Sequence, residues 1–301
     1  MEYGDKHILV LGAGASGIGA SWVLAQVGAH VVLNDYKPVT LPADEEKRLV
    51  SAGVDIITGR QDESLLDGVD RIVISPGISL DIPIVKAAQA RGIDVVSEVE
   101  VAYELSKSPI VAVTGTNGKT TTTTLLTKVL EGTGKPVRVG GNIGDSLSEV
   151  AYSMPADGFL VAELSSYQLE TIKHFRPIGA IMLNITPDHL ARHKTMENYI
   201  AAKERIFENQ LSTDFMVLNI DDPIVADMKH RAPSHILEIS QHQVVSNGAY
   251  YDKGQCYVTK NGIATPVIGS ADIHILGSHN IENILTVIAL AYALGVPVET
   301  I

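Results

Sequence analysis

Residues 109–130 read PIVAVTGTNGKTTTTTLLTKVL. The opening run is apolar and the closing one has helical spacing, so the stretch predicts a strand over 109–114 and a helix over 119–131. Between them, Thr114-Gly115-Thr116-Asn117-Gly118-Lys119-Thr120 is a glycine-broken turn at the point where strand becomes helix. Backbone N–H groups of such a turn can wrap phosphate oxygens, Lys119 can neutralise the outer phosphates, and the Thr120 hydroxyl can ligate Mg²⁺. A purely structural turn has no use for a lysine at a helix N-terminus, where the dipole disfavours a cation. The spacing is shorter than the common G-x-x-x-x-G-K-[ST] pattern, whose first glycine would fall at Val113. The turn predicts an ATP site formed by Gly115, Thr116, Asn117, Gly118, Lys119, Thr120 and Thr121.

Working outward, the residues before this turn already make a complete unit. Short apolar runs at 7–12, 31–35, 71–77 and 94–98 alternate with helical patterns at 16–27, 43–52 and 83–91. Alternation without hairpin signals predicts an α/β fold, an open parallel sheet covered by helices. ELSKSP, at residues 104–109, marks a boundary, after which the pattern starts afresh. The expected organisation is a Rossmann-like domain over 1–106 and a P-loop-type ATPase α/β domain over 107–298. The second has strands at 109–114, 158–163, 178–184 and 214–219 and helices at 119–131, 196–209 and 280–294. Residues 244–267, with Asn-Gly and Lys-Gly turns between short β-prone runs, predict a small antiparallel insertion at an edge.

A second glycine loop, Gly12-Ala13-Gly14-Ala15-Ser16-Gly17, fits G-x-G-x-x-G after the first strand, and Asp35 closes the next strand about 20 residues later. The pattern alone reads as NAD(P). Its physics is less selective: close backbone N–H groups and a helix N-terminus favour any pyrophosphate, and a tight structural turn also accounts for the glycines.

Composition bounds the partners. The 301 residues are 45% hydrophobic and 19% charged, with net charge −12. That is a globular balance, and it disfavours nucleic-acid and anionic-membrane surfaces, which need concentrated basic charge. The single cysteine, Cys256, can form no intrachain disulfide and reads as a small, partly buried strand residue. No secretory signal is recognisable at the start, and the apolar stretch 284–294 is too short to span a bilayer, so the cytoplasm is the expected compartment.

Other candidates are weaker taken singly. Glu163 ends the apolar run FLVAE beside the expected loop strand, where a carboxylate can hold Mg²⁺. His189, in NITPDHLARH, reads by itself as a solvated loop histidine, as do its neighbours Asp188 and His193 as solvated groups. Lys203, in YIAAKERIF, reads on spacing as a helix-surface lysine.

Taken in order, TGTNGKTT (114–121), GGNIG (140–144), ELSSYQLE (163–170), NITPDHLARH (184–193), AAKERIF (201–207) and GSHNIENI (277–284) resemble the Mur ligases, the ATP-dependent amide-forming enzymes of peptidoglycan precursor synthesis. ELSSYQLE beside a Rossmann-like first domain is most similar to the branch that adds D-glutamate to UDP-N-acetylmuramoyl-L-alanine. The resemblance implies that the first glycine loop binds the uridine diphosphate of the sugar rather than NAD. Ala15, Ser16, Asp35, Tyr36 and Lys37 then surround uracil and diphosphate, with Ser75, Pro76 and Gly77 nearby. Lys37 stands where some members have arginine, which removes a planar bidentate contact. Asn142 is implied to bind substrate, Asn280 and Asn283 the adenine end, and Thr120 and Glu163 one Mg²⁺. A second Mg²⁺ is implied at His189 and Lys203, the lysine becoming an anion by taking up CO₂.

The implied chemistry has ATP phosphorylate the L-alanyl carboxylate and the amine of D-glutamate displace the phosphate, with Lys119 stabilising the moving charge. Family members continue into a further domain carrying the amino-acid site, which ALGVPVETI stops short of. The expectation is a two-domain piece of a longer, monomeric ligase, with little ligation of its own. An NAD-dependent oxidoreductase fused to an ATPase leaves NITPDHLARH and GGNIG without a role. A UDP-sugar sensor has no need of Glu163, His189 and Lys203 together.

Overall fold

A computed structural model of the chain describes residues 3–274, 277 and 279–301. Ser278, within GSHNIENI, lies outside them. The chain divides into two compact units. One holds residues up to Lys107 together with Gly144–Ser153 and Tyr167–Phe175; the other holds Ser108–Ile143, Met154–Ser166 and Arg176–Ile301.

The first unit is built on strands β1 (His7–Leu11), β2 (His30–Asp35), β3 (Asp55–Thr58), β4 (Arg71–Ile74) and β5 (Asp94–Ser97). They pair in the order β3-β2-β1-β4-β5, parallel throughout. A strand sends successive side chains to opposite faces, and β1 uses both. Ile8 and Val10 join Leu33, Val73, Leu24 and Leu49 in one core. Leu9 and Leu11 join Ile72, Ile74, Ile84 and Val85 in another. Two buried faces explain why these strands read as unbroken apolar runs.

Two acids on the helix Glu98–Leu105 gather later chain segments into this unit. Glu98 accepts from Ser146 Oγ (2.6 Å), Ser148 N (2.8 Å) and Ser148 Oγ (2.9 Å), and burial raises its pKa. Glu100 accepts the backbone N–H groups of Lys173 (2.7 Å), His174 (2.8 Å) and Phe175 (3.1 Å). Both oxygens of Glu100 are thereby supplied with donors, as a buried carboxylate requires, whereas Glu98 Oε2 is buried without a hydrogen-bond partner.

The second unit carries β6 (Ile110–Thr114), β7 (Val137–Gly141), β8 (Phe159–Glu163), β9 (Gly179–Met182), β10 (Phe215–Asn219), β11 (His235–Ser240), β12 (Gly248–Asp252), β13 (Gln255–Lys260) and β14 (Ile263–Gly269). Their order is β14-β13-β12-β11-β10-β9-β6-β8-β7. The pairs from β7 to β12 are parallel. The expected antiparallel insertion is present as β13 and β14, but β12, its first strand, still runs parallel to β11. Val111, Val113, Val161, Ile181 and Val217 pack on one face with Leu126 and Leu130 of the helix Lys119–Glu131 and Leu285, Ile288 and Leu290 of the helix His279–Ala293. Ala112, Leu160, Met182 and Leu218 are buried on the alternate positions. Among the described residues no helix is long and apolar enough to cross a membrane.

Candidate functional site

In the second unit, sheet order decides which side chains meet at the glycine turn. β6 lies between β8 and β9, with Val113 opposite Glu163 and Thr114 opposite Met182. The ends of three strands therefore arrive together: the turn after β6, Glu163 at the end of β8, and Asn184 just past β9. β7 adds Gly141, opposite Glu163, and Asn142.

Gly115 has φ +149° and Gly118 has φ +86°, backbone that a Cβ would strain. Space forbids a side chain as well. A Cβ on Gly115 would lie 2.8 Å from Leu183 Cβ, and one on Gly118 would lie 2.5 Å from Asn283 Oδ1. Gly118 caps the helix that starts at Lys119. The turn is held by Asn184, whose carbonyl accepts from Thr116 N (2.9 Å) and whose side chain accepts from Asn117 N (2.8 Å) and donates to Asn117 O (3.1 Å).

Two lysines share the Gly115 carbonyl. Lys119 Nζ donates to Gly115 O (3.1 Å) and Thr116 O (2.9 Å), which leaves one of its three donors for an anion. Lys203, on the helix Met196–Glu204 and only 2% exposed, donates to Gly115 O (2.8 Å) and Thr114 Oγ1 (3.4 Å). Burial lowers the pKa of Lys119, against the pull of Glu163 and Asp188. Burial and the nearby Lys119 charge bring Lys203 down to about 7, with Asp188 opposing. Lys203 is therefore not the surface lysine its helical spacing suggests.

Glu163 is 1% exposed. Its Oε1 accepts from Asn142 Nδ2 (2.8 Å), and its backbone carbonyl from Asn142 N (2.8 Å), while Oε2 is buried without a partner. An orphaned carboxylate oxygen within electrostatic reach of the loop lysine suits a cation. Mg²⁺ commonly takes one or two protein carboxylates and completes its shell with phosphate oxygens and water. Among the described residues no three His, Cys, Asp or Glu side chains cluster as a metal site. A metal here thus needs oxygens beyond these side chains.

His189 has φ +53° and pairs through Nε2 with Asp188 Oδ2 at 3.4 Å. Its ring meets the Tyr199 ring edge-on at 6.3 Å, and the Lys203 ammonium lies 5.0 Å from the same ring. Thr120 is exposed in the first helical turn, with Thr121 half-buried beside it. Asn283 Nδ2 donates to Asn280 Oδ1 (3.0 Å), both side chains being buried at the start of the last helix. His193 corrects its expectation: it is buried, with Nε2 2.9 Å from Ser166 Oγ.

The first unit gathers its candidates by the same logic. β2 and β4 flank β1, so the loop at Gly12 meets Asp35–Lys37 on one side and Ser75–Gly77 on the other, at the switch point where ligands bind open α/β sheets. Gly12 has φ +100°, and a Cβ on Gly17 would lie 1.8 Å from Gly12 O. Asp35 accepts Ala13 N (3.0 Å) and Lys37 N (3.0 Å), and Ser75 Oγ donates to Gly12 O (3.2 Å). Tyr36 is 69% exposed. Ala15, Lys37 and Gly77 are exposed, and Ser16 and Pro76 half-buried.

Sequence reasoning gave no role to Asn184, read Asp188 as a solvated group, which its exposure bears out, and passed over Tyr199. NITPDH contains the first two, but only the pairing of β9 with β6 shows that they face the loop.

A family model described as the Mur ligase middle domain matches residues 113–291, and one described as the Mur ligase MurD-like N-terminal domain matches residues 6–97. A UDP-N-acetylmuramoylalanine–D-glutamate ligase of Thermoanaerobacter sp. (strain X514) is 44% identical over all of this chain and 66% of its own length. A ligase of the same name from Halalkalibacterium halodurans is 41% identical over the same shares. The chain thus spans about 66% of the length of these relatives. Among solved structures, UDP-N-acetylmuramate:L-alanyl-gamma-D-glutamyl-meso-diaminopimelate ligase from Neisseria meningitides aligns with TM-score 0.66 at 22% identity, covering 98% of this chain and 96% of that one. UDP-N-acetylmuramate-alanine ligase from Thermotoga maritima aligns with TM-score 0.56 at 23% identity, over 98% and 66%. At these identities the structures bear on the fold alone.

Proposed function

The chain belongs to the Mur ligase family, and from that premise we propose that its reaction is the ATP-dependent joining of D-glutamate to UDP-N-acetylmuramoyl-L-alanine. The observation that carries the reading is Lys203, a buried lysine 2.8 Å from a phosphate-loop carbonyl on a side of the loop that an ordinary NTPase has no need to furnish with an amine. On this reading the first unit takes the UDP-sugar on the N–H groups after Gly12, and the second takes ATP on the turn 114–120.

Each residue then has a task. Lys119 draws negative charge off the γ-phosphoryl group as the acceptor carboxylate attacks it, giving an acyl phosphate and ADP. The amine of D-glutamate attacks the acyl carbon, loses a proton, and phosphate leaves from the tetrahedral intermediate. Asn142, tied to Glu163, orients the acceptor. Thr120 and Glu163 would hold one Mg²⁺, and His189 and a carbamylated Lys203 a second, and these ions would supply charge neutralisation when bound. Lys203 reaches its anionic form when the neutral amine adds to CO₂ and releases a proton, which a pKa of about 7 permits. No residue of this chain is assigned to D-glutamate. The protein is read as a cytoplasmic monomer.

Calorimetric titration with UDP-N-acetylmuramoyl-L-alanine, and separately with NADH, tests the reading of the first unit. Saturable binding of the UDP-sugar and none of NADH is expected. Binding of NADH alone would return the first unit to an oxidoreductase.

A further inference from the structure

Tyr199 is 1% exposed, among the largest fully buried side chains, and lies where the candidate groups of the second unit converge. Its ring faces the Lys203 ammonium at 5.0 Å, the His189 ring at 6.3 Å and the His193 ring at 5.3 Å. A phenylalanine would serve every one of those contacts. What requires a tyrosine is the hydroxyl, which lies 3.1 Å from Thr116 Oγ1. Thr116 is the residue just after Gly115, on a turn whose glycines at 115 and 118 are its two pivots. Its side chain also meets Thr186 O (3.2 Å) and accepts Thr186 N (3.0 Å).

Behind Tyr199 stands a second layer. His193 is 6% exposed and Ser166 1%. The 2.9 Å contact between Ser166 Oγ and His193 Nε2 fixes the plane of the imidazole, and Asn198 Nδ2 holds the His193 carbonyl (2.8 Å). A buried hydroxyl-to-imidazole bond is costly to leave unmade, so the ring that packs on Tyr199 has little freedom.

We propose that Tyr199 is a second positioning residue of the phosphate loop beside Asn184, and that Ser166 acts through His193 to hold Tyr199 in place. The proposal rests on the nucleotide-binding reading of the turn 114–120. It gives the second serine of ELSSYQLE and the last histidine of NITPDHLARH one shared task, distinct from metal or substrate contact. A loop already shaped for phosphate loses less freedom on binding, so the layer acts on affinity.

The test is calorimetry with MgADP at 25 °C, with melting temperatures measured in parallel, on the unaltered chain and on Tyr199→Phe, Ser166→Ala and the double variant. Tyr199→Phe keeps the ring and removes the hydroxyl's contact with the loop, and about a fivefold loss of affinity is expected, the worth of one neutral hydrogen bond. Ser166→Ala should weaken binding as well, and the double variant should bind no more weakly than Tyr199→Phe alone. A lower melting temperature with unchanged affinity in Tyr199→Phe would mark a merely structural tyrosine and overturn the proposal. Additive losses would overturn the relay from Ser166. Failure of the unaltered chain to bind MgADP would instead overturn the nucleotide reading, and this proposal with it.

Discussion

The two glycine loops of this chain look alike in sequence and differ in what surrounds them. At Gly12–Gly17 the local charge is Asp35, and both of its oxygens accept backbone N–H groups, from Ala13 and Lys37. That loop is braced by its own acid and offers a ligand mainly N–H groups. At Thr114–Thr120 the brace is a neutral asparagine, Asn184, and the charges are two lysines on loop carbonyls and a buried glutamate with an unpartnered oxygen. On the proposed reading, one loop holds a diphosphate, and the other holds one and moves charge through it. The motif gives the backbone and Lys119; Glu163 comes from a neighbouring strand and Lys203 from the helix Met196–Glu204.

The sharpest way to break the contrast is Lys119→Ala. Removing the one cation that is part of the turn should weaken MgADP binding about 100-fold, the worth of one to two charge-assisted hydrogen bonds, with UDP-sugar binding unchanged. Equal losses for both ligands in calorimetry would mean that the loops are not separate sites. Next is Gly17→Ala, which sharpens the other side. Its Cβ would lie 1.8 Å from Gly12 O. The helix start must therefore move off the loop, at a cost of about 1–3 kcal/mol. A melting temperature lower by several degrees and weaker UDP-sugar binding are expected, with MgADP affinity retained. An alanine variant that melts with the parent would remove the steric account of this glycine.

Much of this was legible before any coordinates. PIVAVTGTNGKTT announces a strand, a turn and a helix because apolar runs, glycines and helix formers each leave a local mark, and β6 and its helix lie where expected. Strands β3 and β7 left little mark: both are edge strands, DIIT being short and VRVGG ending in two glycines of low β-propensity. Nothing local in the sequence marks Glu98 or Glu100 for burial. Their burial depends on Ser146, Ser148 and residues 173–175, far away in the chain. The importance of Lys203 came from resemblance alone, since helical spacing puts it on the surface and only folding puts it beside Gly115. Tyr199 was invisible for the same reason: its loop contact joins residues 83 apart in the chain.

The central claim is that the second loop sits beside an amine kept ready to become an anion. The most direct measurement is ¹³C NMR of the chain with ¹³C-labelled bicarbonate, across pH at fixed dissolved CO₂. Burial has lowered the Lys203 pKa to about 7, so the neutral amine that adds CO₂ predominates above that pH and disappears below it. A single carbamate resonance is expected that grows as pH rises through about 7 and is absent from Lys203→Gln. No carbamate at pH 8, or one that persists in Lys203→Gln, would contradict the account.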